Sequence, residues 1–273
     1  MGTRYRVSVH GAESIRPGSD CRAGSSATIA AVTLASRSVV TAALAAAAAL
    51  AGYLHPIALL AVSAALVLVV AAGWPELAGL PFRPGSAVVV ALTGVGAVFA
   101  VRYTGTGLSA IAVVLACSLM VAFVNELLRR DGRTRMVESV SGTTAGAVLA
   151  LCTACWVATD ALADGESVVV AGAVALAVGS AVAAFELPRW VSAVLTVLAA
   201  TGAGVAAAWA LPAFGLQAGA VLGVAVGVLV AALDALFDSL IELKRVLPSL
   251  CAAALPVAVS GAVVYIVGRV LAG

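Results

Sequence analysis

The chain has 273 residues, 63% of them hydrophobic and 10% charged, with a mean hydropathy of +1.15 and a formal net charge of +2. Soluble domains carry about 25% charged residues, so an ordinary soluble globular fold is excluded, and so small a net charge excludes nucleic acid as a partner. Ala, Val, Leu and Gly dominate, the composition of helices that pack through small side chains inside a membrane.

Residues 1–37 are of a different character. They are rich in Arg, Ser and Gly, include Pro17, and lack apolar periodicity, which predicts a disordered basic tail. Its five arginines (Arg4, Arg6, Arg16, Arg22, Arg37) face only Glu13 and Asp20. The leader is too long for a cleavable signal peptide. Residues 38–273 then form a transmembrane domain.

Nine apolar segments of spanning or near-spanning length follow, at 38–54, 57–73, 86–102, 107–127, 139–159, 167–185, 190–210, 216–240 and 249–270. The first two are parted only by His55 and Pro56, which predicts a tight helical hairpin or one re-entrant pair. The fold class is therefore all-α, a polytopic transmembrane helix bundle of about nine spans. With the N-terminus cytoplasmic and the C-terminus external, every basic residue except Arg102 and Arg269 falls on the cytoplasmic side. The acidic connection from Asp160 to Glu166 then lies outside. Trp74, Trp156, Trp190 and Trp209, with Tyr53 and Tyr103, fall near span boundaries, where amphipathic rings prefer to sit. This partition reads as a multi-pass plasma-membrane protein.

The eighth span carries the most pointed pattern. Gly215, Gly219, Gly223 and Gly227 recur every four residues and line one helix face, which predicts close helix packing. Asp234 and Asp238 fall within about 20° of that face at roughly 100° per residue. About 27 Å along the helix, Asp234 is near the inner edge of a hydrocarbon core about 30 Å thick. Glu242 follows one turn after Asp238, with Lys244 and Arg245 beyond. Such carboxylates would take a divalent cation, a proton or a cationic substrate; the bland alternative is a helix end emerging into water. Gly142 and Gly146 form a second G-x-x-x-G packing pair in the fifth span. Either glycine stripe would serve an internal contact, a homo-oligomer or a partner membrane protein.

The most charged stretch is NELLRRDGRTRMVES, running from Asn125 and Glu126 through Arg129, Arg130, Asp131, Arg133 and Arg135 to Glu138. Four arginines around Gly132 would hold a phosphate or a lipid head group; the same residues also serve as a topology signal. Cys152 and Cys155 form a C-x-x-C inside an apolar segment, without a second pair or nearby histidines, and read as packing thiols. No phosphate loop, Ser-His-Asp set or H-E-x-x-H is present, so no catalytic residue is assigned and no cofactor is evident beyond that divalent cation.

The stretch LDALFDSLIELKR, followed by LPSLCAAALPVAVSGAVVY, resembles the last part of the phosphatidate cytidylyltransferases, which make CDP-diacylglycerol; Trp156, Thr159 and Asp160 resemble that family's W-x-x-D, with Asp160 one place late. The family's Ser-x-x-Lys-Arg element departs here. After Ser239 its basic positions hold Glu242 and Leu243, with Lys244 and Arg245 two places late, and only Val246, Leu247 and Pro248 stand where a polar loop is expected. The resemblance implies a degenerate relative without catalysis. Three functions fit the sequence: a transporter-like or lipid-handling protein, an accessory or scaffold subunit, and a membrane enzyme acting on a phospholipid or isoprenoid phosphate.

Overall fold

The computed structural model describes residues 20–105, 107–129, 135–185, 187–211, 215–240 and 246–272, with side chains from residue 37 onward except 238–240 and 272. Among the described residues there are nine helices and no strand. They are α1 (Asp20–Leu54), α2 (Pro56–Leu77), α3 (Arg83–Thr104), α4 (Leu108–Leu128), α5 (Met136–Asp160), α6 (Gly165–Ala183), α7 (Arg189–Ala210), α8 (Leu216–Leu240) and α9 (Val246–Ala272). Each contains a segment long and apolar enough to cross a membrane. The chain is thus an all-α, nine-span bundle.

The largest differences from the sequence boundaries have local causes. Backbone helix in α1 begins at Asp20, so it takes in residues 20–37, which composition assigns to the tail; residues 1–19 lie outside the described residues. Helix α2 continues through Pro75 to Leu77. A proline there removes one amide and crowds one carbonyl of the preceding turn, and the last turn tolerates this. The turn at His55 is a true hairpin between two full helices. His55 is extended, its Nδ1 accepts from the Ile57 amide at 3.1 Å, and Pro56 opens α2, where a missing N–H is harmless.

Two groups of helices share one spine. Helices α2, α3, α4 and α5 pack together, as do α1, α6, α7 and α8, and α9 touches members of both. The buried core forms two clusters, one with α1, α6, α7 and α8 and one with α3 and α4, and α9, α2 and α5 contribute to both. Pro256 interrupts the amide ladder of α9. Side chains from both groups reach carbonyls beside it: Thr41 Oγ1 of α1 donates to Ala253 O at 2.8 Å, and Trp156 Nε1 of α5 donates to Val257 O at 2.8 Å. Trp156 is therefore an interior anchor, only 1% exposed, and not the boundary residue its position suggests. Trp190, Trp209, Tyr53 and Tyr103 are exposed.

Candidate functional site

Alternation of the helices brings the end of α2, the start of α3, the end of α4 and the start of α5 to one end of the bundle. This is the arginine-rich end. Glu126, in the last turn of α4, is 4% exposed, and Arg129, just past its end, is 5% exposed. Arg129 Nη1 donates to Glu126 Oε1, and Ser139 Oγ from α5 donates to Glu126 Oε2 at 2.9 Å. The guanidinium also lies over the Phe82 ring, 5.8 Å from its centroid. Both charges are thus neutralised and hydrogen-bonded, the condition for burying them without a large desolvation cost.

Around this pair the packing is tight. Trp74 Nε1 donates to the Gly142 carbonyl at 2.8 Å, and the Ser86 and Thr143 hydroxyls share a hydrogen bond of 2.8 Å. Arg83 approaches Glu76 at 3.6 Å. Gly85 admits the Asn125 side chain, since a Cβ there would collide with Asn125 Oδ1 and the Phe82 ring. Asn125 Nδ2 is buried and has no hydrogen-bond partner among the described residues. Of the four arginines expected to hold phosphate, Arg129 is in this network and Arg135 pairs with Glu138 on the exposed rim. Arg130 and Arg133 lie outside the described residues.

Elsewhere at the same end, Asp234 meets Arg37. The Arg37 Nη2–Asp234 Oδ1 distance is 3.4 Å, and the guanidinium lies 5.1 Å from the Phe237 ring centroid. Arg189 Nη2, from the first turn of α7, donates to the Ala235 carbonyl at 2.6 Å. Two cations from neighbouring helices therefore serve the C-terminal end of α8, where its dipole is negative. Only the backbone of Asp238 is described, and Glu242 lies outside the described residues. Among the described residues no three His, Cys, Asp or Glu side chains gather as metal ligands.

The glycine face of α8 and its aspartate face different helices. Gly219, Gly223 and Gly227 lie against α7: an added Cβ would stand 2.5 Å from Gly204 O, 2.5 Å from Ala200 O and 2.8 Å from Val197 Cα, respectively. Gly215 has open space beside it. Gly142 accommodates Leu80, and at Gly146 an added Cβ would stand 2.5 Å from Trp74 Nε1. These stripes thus meet neighbours within the chain. The sequence places Arg37 on this side but not against Asp234, and it carries no sign of Phe82 or Ser139 at this end. Arg37 sits in a run that composition assigns to the tail, and Ser139 has no local signature.

The fold and this end define a multi-pass helical membrane protein with buried charge at one face of the bundle. Compared with known protein families, with curated proteins and with solved structures, the chain has no match in any of the three.

Proposed function

We propose that this membrane protein handles phosphate-bearing lipids and that its arginine-rich end holds their head groups. The observation that carries the reading is the Asn125 amide, whose Nδ2 is buried without an acceptor beside Arg129 and Phe82. A buried donor left unpaired costs about 1–3 kcal/mol, and a phosphate oxygen reaching it removes that cost. Arg130, Arg133 and Arg135 supply countercharge on the same connection, and the guanidinium fork suits phosphate oxygens. Anionic lipid surfaces also attract arginines next to a span. Under this reading Glu126 and Asp234 hold guanidinium groups in place, and no divalent cation is needed. The arginine distribution supports a plasma-membrane setting with this end cytoplasmic.

Native mass spectrometry of the full chain, gently extracted from its own membrane, tests the reading. The wild type retains a phospholipid or isoprenoid phosphate. Asn125→Ala, or Arg130→Gln with Arg133→Gln and Arg135→Gln, lowers retention about tenfold, the value of one charge-assisted hydrogen bond. The triple variant keeps Arg129 on Glu126, so the buried pair is intact. A wild type that retains no such lipid, or variants that retain as much, overturns the proposal. A permease would use the same end, and flux of the retained compound in proteoliposomes separates that case.

An accessory-subunit reading draws on α4. Of its 21 residues, only Ala110, Ser118, Ala122 and Glu126 are buried. Met120, Phe123 and Leu127 face outward. A stoichiometric protein partner, released when these three are changed to Ala, together with no bound lipid, would favour it.

A further inference from the structure

A second polar site lies at the opposite end of the bundle, far from Arg129. The end of α3, the start of α4, the end of α5 and the last turns of α9 enclose a cavity of about 230 Å³. Its wall includes the apolar side chains of Val101, Leu108, Ala158 and Leu162. Two polar groups stand among them, Arg269 and Tyr265.

Tyr265 is the informative residue. The residue is 3% exposed, its ring packed inside the bundle. Its hydroxyl is the part that lines the cavity, where a ligand can reach it. The hydroxyl reaches the cavity rim: a Cβ at Gly107 would lie 3.7 Å from Tyr265 Oη. Gly105 and Gly107 line that rim with positive φ angles of 64° and 55°, a backbone shape that glycine adopts freely. A side chain at Gly107 would stand against the Tyr265 hydroxyl, whereas Gly105 has open space beside it.

The charges favour an anion. Arg269 is the charged residue in the wall, and Arg102, the other basic residue expected on this side, stands in the last turn of α3. The positive end of the 21-residue helix α4 opens at the same place, through Leu108. Asp160, the last residue of α5, lies near Arg102 and balances its charge, and neither it nor Asp164 and Glu166 is in the wall, so Arg269 is the countercharge there. The apolar wall requires that the anion carry some hydrocarbon.

We propose that this cavity binds the phosphate group of a small amphiphile, with the Arg269 guanidinium as countercharge and the Tyr265 hydroxyl as donor. The phosphate comes either from a lipid head group at that end or from a soluble organic phosphate. The site shares no residue with the Arg129 end, so the two proposals stand or fall on different variants.

The test uses the full chain in phosphatidylcholine nanodiscs. Phosphatidylglycerol is added to one set, and glycerol phosphate is titrated into another by calorimetry. Tyr265→Phe keeps the ring and removes only the hydroxyl; Arg269→Gln removes the charge at an exposed position. The wild type retains phosphatidylglycerol in native mass spectra or binds glycerol phosphate, and each variant weakens this about tenfold with an unchanged melting temperature. Lipid retention alone assigns the phosphate to a head group, and titration alone assigns it to a soluble compound. The proposal fails if the wild type binds neither above the phosphatidylcholine background. It also fails if Tyr265→Phe binds as well as the wild type.

Discussion

At the scale of single residues, the two ion pairs of the arginine-rich end differ in what their loss costs. Glu126 and Arg129 are almost wholly buried, so removing one partner leaves an uncompensated charge in a low-dielectric site. Arg129→Leu should destabilise the protein by about 3–5 kcal/mol, read as a lower melting temperature in detergent. Changing both residues to Met should cost less than either change alone, because no charge is then stranded. Side-chain exposures of 11% and 27% leave Arg37 and Asp234 partly solvated. Asp234→Asn and Arg37→Gln should each cost about 1 kcal/mol, and the double change little more than one of them. Full additivity would mean that Asp234 acts on something other than Arg37. That Asp234 and Glu126 carry charge was legible in the sequence; their partners were not. Arg37 lies 197 residues from Asp234, and Ser139 lies 13 from Glu126 across a turn of the chain. Pairing over such separations is a property of the packed bundle.

Among the elements, α7 and α8 form the closest approach that glycine permits. Backbone meets backbone where Gly204 faces Gly219 and where Gly223 faces Ala200, and contacts of this kind hold helices together where lipid offers no solvent-driven force. Gly223→Leu should therefore separate the pair and cost about 1–3 kcal/mol or more. Gly215→Leu, with open space beside it, should leave the melting temperature unchanged. Equal effects at the two positions would show that the stripe packs elsewhere. The period of four made the stripe readable, because four-residue spacing maps onto one helix face. The helix that fills it was less readable, since α7 matches with Thr196, Ala200, Gly204 and Ala208, a period-four face of small residues with a single glycine in an Ala-rich chain. Span positions were legible for a related reason: burying a backbone in hydrocarbon demands long apolar helices, and the sequence records them directly.

For the whole molecule, the shared spine has a consequence for how the protein is made. Helix α9 is the most buried span, with 67% of its window inside the bundle, and it is the last of the nine to leave the ribosome. Its neighbours α1, α2, α5, α6 and α8 are all synthesised before it. Until it inserts, Gly73 lacks Cys251, Gly172 lacks Val264, and the Trp156 indole has no carbonyl to reach. The earlier spans can cross the membrane as separate helices, but without α9 their two groups meet only where α1 touches α2 and α5 touches α6. Nascent chains arrested before Val246 should remain open to protease and membrane chaperones, whereas chains extended past α9 should become resistant in one step. Biogenesis of this protein is thus gated by α9, and mutations around Pro256 should act on its yield before they act on any ligand.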